Sequence, residues 1–198
     1  MTNPNSSLVL AGVAAGGATG LELMWVAPTD TTLPTDTTTL MTVVDSSWEG
    51  MGYISSDGIT LGVDESWEEI GAYGASSAVR KVCKSTSRTI QVEWLEHNLN
   101  VLEVFNRLDL GTISPDATGA FSISHGTTPV QRYEFVVDVV DDVNHIRHVI
   151  PSAEVTDIKE QKIANGMAIT HSATITAYPD GSGVSIYSYY LIPDLATS

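Results

Sequence analysis

The sequence predicts a mainly β protein: an antiparallel β-sandwich or barrel with one flanking α-helix. Three observations lead there. Runs of alternating apolar and polar residues recur, as in residues 87–96 (SRTIQVEWLE) and 131–140 (QRYEFVVDVV), and a period of two marks a half-buried strand. Turn signals separate the runs, the strongest being Asp57-Gly58 and Asn165-Gly166, whose residues accept the positive φ of tight hairpins. Only residues 98–108 (NLNVLEVFNRL) carry apolar side chains near helical spacing, at Leu99, Leu102, Phe105 and Leu108. Many strands, frequent turns and a single helix define the class.

Taken in order, residues 1–7 are polar and residues 8–20 are rich in glycine and alanine. Gly12, Gly16, Gly17 and Gly20 lack both the Lys-Ser/Thr of a phosphate loop and the dinucleotide spacing. Residues 21–27 (LELMWVA) read as a short strand. Residues 28–42 (PTDTTLPTDTTTLMT) hold threonine, aspartate and proline with few apolar side chains. The prolines bar helix and the threonines favour extended backbone. This stretch reads as a surface loop or as an arm that pairs with another subunit. Residues 48–54 and 59–70 read as strands on either side of the Asp57-Gly58 turn. Residues 71–78 (GAYGASSA) are small and uncharged, and residues 79–85 and 86–96 read as a strand pair.

Asn98 can cap the helix that follows, and Arg107 suits its last turn. Residues 110–118 are turn-rich and residues 121–124 (FSIS) read as a short strand. Residues 131–140 and 145–150 form a hairpin across Asp141, Asp142 and Asn144, with Pro151 ending the second strand. Residues 153–163 and 168–178 flank Asn165-Gly166, leaving Thr170, Ser172, Thr174 and Thr176 exposed. Residues 184–191 (VSIYSYYL) close the fold. The domain reading is an N-terminal segment or arm, residues 1–42, followed by one β-sandwich domain, residues 43–198.

The chain has 198 residues, enough for one domain, and is 42 % hydrophobic, enough to bury a core. It has no uncharged apolar run long enough to span a membrane. Its start lacks a basic n-region, so no signal peptide is expected. The single cysteine, Cys83, cannot form an internal disulfide, which fits a reducing compartment. Net charge is −15. Ten acids and no lysine or arginine precede Arg80, while fourteen acids and nine bases lie from Arg80 onward. A chain so short of bases does not hold nucleic acid by neutralising phosphates.

No catalytic or metal signature emerges. His145 and His148 are three apart, which in a strand places them on opposite faces. The remaining histidines, His97, His125 and His171, have no partner at metal-ligand spacing. Cys83 lies near Lys81 and Lys84 but has no neighbouring histidine, and reads as a buried bystander. Asp64, Glu65, Glu68 and Glu69 lack the spacing and glycine of a calcium loop. They read as a solvated edge. Tyr187, Tyr189 and Tyr190 could form a sugar-stacking platform, but alternating tyrosines more often pack half-buried. No cofactor is expected.

The stretch 52–105 resembles the tail tube (major tail) proteins of long-tailed, non-contractile bacteriophages. The resemblance rests on GYISSDGIT, the acidic WEEI at 67–70, the basic strand RKVCKS at 80–85, an alternating strand into Leu95-Glu96, and a helix beginning NLNVLEVF. Ala27-Pro28-Thr29-Asp30 and Leu33-Pro34 are similar to that family's N-terminal segment. The resemblance implies a β-sandwich flanked by a helix, a structural role in the virion tail without catalysis, and assembly in the host cytoplasm. It implies self-association in stacked hexameric rings, with a tape-measure protein, a tail tip and a tail terminator as further partners. DNA would pass through the lumen without specific binding. Asp64, Glu65, Glu68, Glu69 and Asp138 then become candidate lumen-facing or ring-contact acids. Gly71, Tyr73, Gly74 and Ser76 become the candidate inter-ring loop. The competing readings are a monomeric β-sandwich module that binds carbohydrate or another ligand, and another ring or tube protein of the same lineage.

Overall fold

A computed structural model describes residues 22–37, 44–126 and 130–196. Among these residues eight strands form one antiparallel sheet in the order β2-β1-β5-β6-β7-β4-β3, with β8 on a further edge of β6. The strands are β1 (Met24–Pro28), β2 (Glu49–Gly50), β3 (Thr60–Ile70), β4 (Arg80–Trp94), β5 (Arg132–Asp141), β6 (Asn144–Ile158), β7 (His171–Ala177) and β8 (Tyr187–Leu191). One α-helix, α1 (Leu99–Phe105), lies between β4 and β5. The mainly β, antiparallel class is the one the alternation implied.

The sheet becomes a sandwich because β6 serves two walls. Its first half lies between β5 and β8, pairing His145 with Leu191 and Val149 with Tyr187. Its second half lies beside β7, pairing Ala153 with Ala177 and Ile158 with Ala173. The change comes at Pro151, where the register with β5 shifts between Tyr133 and Phe135. The expectation that Pro151 ends this strand is thereby corrected. Proline has no N–H to give, but a bulge leaves its position unpaired, so the strand bends and continues. The strand pair expected over residues 79–85 and 86–96 is corrected likewise: Arg80–Trp94 form the single strand β4, paired with β3.

Inward side chains of both walls meet in one core. Met24, Val26, Phe135, Ile150, Ile175 and Ile90 are fully buried in it. Helix α1 closes it with Val101, Val104 and Phe105. Asn98 caps the helix, its Oδ1 accepting the Val101 N–H at 2.8 Å. The helix ends earlier than its apolar pattern suggests. Arg107 takes φ 57°, and the N–H groups of Arg107 and Leu108 return to the carbonyls of Val104 and Glu103. That left-handed stop satisfies the last carbonyls.

The first wall is covered on its other face too. Trp25, Ala27, Val136 and Val149 pack there with Trp48, joined by Leu33, Tyr187 and Tyr189. Trp48 Nε1 donates to the Thr32 carbonyl at 3.0 Å. The short run MWVAP therefore buries both of its faces and sits inside the sheet, between β2 and β5. A boundary at residue 42 does not separate the described residues into an arm and a domain. Residues 38–43 and the glycine-rich 8–20 lie outside the described residues.

The Asp57-Gly58 turn forms, with the Gly58 N–H donating to the Ser55 carbonyl at 2.9 Å and Gly58 at φ 73°. It does not join two strands to each other. Ile54 bridges to Trp94 and Thr60 pairs with Gln91, so both flanks lie on the same edge of β4. A turn sequence specifies local φ, not which strand the flanks will meet. Residues 121–124, expected as a strand, join no ladder.

Candidate assembly surfaces

β3 and β4 form a hairpin that outgrows the sandwich. β7 accompanies β4 only from Trp94 to Arg88. Beyond that point Arg80 to Ser87 pair with β3 alone, from Asp64↔Ser87 to Ile70↔Arg80. A bulge at Ser66/Trp67 interrupts the register. Both faces of this two-stranded arm are largely exposed. A ribbon of two strands is marginal in water without a surface to pack on.

Strand alternation gives the hairpin two different faces. One continues the core side of β4 outward and carries Leu61, Val63 and Trp67, all about half exposed. The other continues the outward side of the second wall. There β3 and β4 present Thr60, Asp64, Ser66, Ser85, Ser87, Thr89 and Gln91; β7 adds Ser172, Thr174 and Thr176; β6 adds Glu154 and Thr156. Thr156 and Thr176 are linked through their hydroxyls at 2.9 Å. Across four strands this face offers hydroxyl, amide and carboxylate groups. Of the cations at this face, Lys84 and Arg132 are paired with Glu68 and Glu154, while exposed Arg80, opposite Ile70 next to the tip, makes no ion pair among the described residues.

The acids singled out from sequence do not form one cluster. Asp64 and Glu68 lie on the hydroxyl-bearing face of β3, and Glu65 and Glu69 on the face of Trp67. Glu65 accepts from Trp67 Nε1 at 3.2 Å, and Glu69 pairs with Lys81. Asp138 lies elsewhere. It is 2 % exposed and holds fully buried Arg147 through two hydrogen bonds, of 2.6 and 2.9 Å. Arg147 Nη1 also donates to the Asp36 carbonyl, fastening residues 31–37 to the first wall. Burial takes Asp138 out of the set of surface acids. Its position in the alternating run could not reveal that, because the arginine that neutralises it comes from the next strand.

Gly71, Tyr73, Gly74 and Ser76 fall together at the tip of the hairpin. The Ala75 N–H closes a turn on the Ala72 carbonyl at 3.1 Å, and Gly74 takes φ 81°, a value that suits glycine. Tyr73 is fully exposed.

Two further buried acids escaped the sequence reading. Glu103, on the helix, accepts the N–H groups of Gly111 and Ile113 at 2.8 and 2.6 Å and so shapes the loop after the helix. Glu134, on β5, accepts the Asp30 N–H at 2.9 Å through Oε1, while its buried Oε2 has no partner among the described residues. Burial is the main cause that pushes its carboxyl up to about 7, and the charge of Asp30 adds to it. The apolar stripe of the hairpin was legible in alternation, as Leu61, Val63 and Trp67 against Thr60, Gly62 and Ser66, but the nearby acids drew attention first.

The remaining candidates are placed as follows. Cys83 is exposed, which corrects the expectation of burial. It sits at the bulge opposite Trp67. Tyr187 donates to Asp180 at 2.7 Å and packs with Tyr189 on the Trp25 cluster, while Tyr190 alone turns outward. The tyrosines therefore present no common flat platform. No group of three His, Cys, Asp or Glu suited to a metal occurs among the described residues, and no described helix is long and apolar enough to cross a membrane. No curated protein matches the chain. A family model described as "Phage tail tube protein" matches residues 2–197.

Proposed function

The chain belongs to the phage tail tube protein family, and from that premise we propose that it polymerises as stacked hexameric rings into a tail tube through which the genome is delivered. It is a structural protein of the virion tail. The observation that supports this assembly is the β3–β4 hairpin. Its apolar stripe and its free strand edge are left uncovered by the described residues of its own subunit. Edge strands of this kind pair with other chains unless they are protected, and closure into a ring removes the edges altogether.

In the proposed tube the hydroxyl-bearing face of β3, β4, β7 and β6 lines the bore. It carries more carboxylate than cation, with Arg80 beside the tip as its one arginine without an ion pair among the residues named above, so the polymer meets little counter-charge at which to stall. Asp64 and Glu68 look inward. Glu65 and Glu69 lie with Trp67 at the contact between neighbours, and the tip around Tyr73 reaches the next ring. A tape-measure protein, a tail tip and a tail terminator would bound the polymer.

The test exchanges charge on one face at a time. Lysines at Asp64 and Glu68 should leave tubes intact under the electron microscope and slow DNA ejection from reconstituted particles. Lysines at Glu65 and Glu69 should impair assembly itself. The opposite pattern, with assembly lost in the first variant and kept in the second, would reverse the assignment of the faces. A purified protein that forms neither rings nor tubes, with or without a tip complex, would overturn the proposal.

A further inference from the structure

The two most exposed large apolar side chains among the described residues, Tyr73 and Ile163 (79 %), stand at opposite ends of the same strands. Tyr73 is at the hairpin tip, just before β4 begins. Ile163 is in residues 159–170, the loop joining β6 to β7, which meets β4 at its far end through the pair Trp94↔His171. β4 is 15 residues long, so these ends lie roughly 45–50 Å apart along the strand. The far end carries further exposed apolar groups: Met167 in the same loop, Leu95 just past β4, and Tyr53 on the neighbouring segment. The Leu95 N–H donates to the Tyr53 carbonyl at 2.9 Å, which ties these segments together. The loop has a defined shape, with Gly166 at φ 77° and Gln161 donating to the Thr170 carbonyl.

Charge favours the same pairing. Copies of a chain with net charge −15 repel one another, so they meet at least cost where charge is absent or reversed. Residues 71–79 carry no charge, and residues 159–170 carry Lys159 and Lys162 against Glu160 alone. We infer that the hairpin tip of one copy docks, through Tyr73, onto the apolar end formed by Ile163 and Met167 of a second copy in the next ring. This rests on the tube reading and names the receptor for the tip. The contact joins two different patches, so it repeats head to tail and does not close. A polymer built this way grows along the strand direction, with an axial repeat no longer than about 50 Å.

The test is a directed cross-link. In a Cys83→Ser background, Tyr73→Cys and Ile163→Cys are combined, the assembled protein is oxidised, and products are separated without reductant. The expected result is a ladder of covalent multimers extending past the size of one ring, with either single-cysteine variant giving none. A double variant that forms tubes yet no ladder overturns the inference and leaves the tube reading standing. A parent protein that never assembles overturns both. Ile163→Asp with Met167→Asp gives an independent readout. Both side chains are exposed, so the melting temperature of the monomer should be unchanged while long tubes are lost and short oligomers remain. Tubes of normal length from that variant also refute the docking.

Discussion

Replacing Glu134 with glutamine should remove a pH dependence built into the first wall. Glu134 is buried, accepts one N–H from Asp30 and leaves Oε2 unpartnered among the described residues. Its folded-state pKa is raised from 4.5 to about 7, so the native state favours the neutral carboxyl. A raised folded-state value stabilises the native state fully below the unfolded value of 4.5, and that contribution disappears as pH climbs to about 7. At about 1.4 kcal/mol per pH unit the largest possible effect is roughly 3 kcal/mol; local relaxation and water entry reduce it to about 2 kcal/mol. Glutamine keeps the acceptor for Asp30 and cannot ionise, so it mimics the protonated acid. The variant should match the parent near pH 4.5 and exceed it by about 2 kcal/mol at pH about 8. For a chain of this size that is roughly 4–8 °C in melting temperature. Paired thermal melts of unassembled protein across this range give the answer. A difference that stays constant with pH, or a variant less stable than the parent at alkaline pH, would refute the argument.

Three further outcomes follow from buried groups. Deleting residues 1–42 removes β1 from between β2 and β5, so circular dichroism should show no cooperatively folded monomer. Arg147→Met strands the buried Asp138 carboxylate and should cost about 3–5 kcal/mol in urea unfolding; adding Asp138→Leu should restore much of the loss. Glu103→Ala deprives the Gly111 and Ile113 N–H groups of their shared acceptor and should cost about 2–4 kcal/mol. Faster amide exchange confined to those two residues would identify the cause.

Period-two alternation located most of the strands because it depends only on which side chains face water. It exposed the Thr174/Thr176 face without any knowledge of partners, whereas the loop at residues 71–78 was marked by its small, uncharged composition. It failed where the outcome depends on a distant element. Pro151 looked like a stop until the bulge that accommodates it was visible. Asp57-Gly58 looked like the centre of a hairpin, yet β4 claims both of its flanks. Met24–Pro28 was recognised as a strand but assigned to an arm, since five residues cannot announce that both of their faces will be covered. Asp138 looked like a surface acid, and Glu103 and Glu134 went unmarked, because their partners, Arg147, the 111–113 amides and the Asp30 amide, are remote or main-chain groups. The charge pattern could not separate Asp64 and Glu68 from Glu65 and Glu69 until the strand set their faces.

Energetics also bear on how such a subunit can wait as a monomer and then polymerise. Leu61, Val63 and Trp67 are each about half exposed. Covering the rest of each returns about 1 kcal/mol, or roughly 3 kcal/mol for the stripe. Association of two free subunits costs at least about that much in lost freedom, before the mutual repulsion of two chains of net charge −15. One pairwise contact is therefore unfavourable by itself. A subunit joining a growing end meets several neighbours for a single loss of freedom, and there the balance turns favourable. Added salt weakens the repulsion but leaves apolar contacts intact, with the screening length falling from about 10 Å at 0.1 M to about 3 Å at 1 M. Spontaneous tube formation should accordingly rise with sodium chloride, as followed by sedimentation and light scattering at fixed protein concentration. Tubes that form at low salt and dissolve as salt is added would mean that ion pairs hold the subunits together and that the apolar stripe does not.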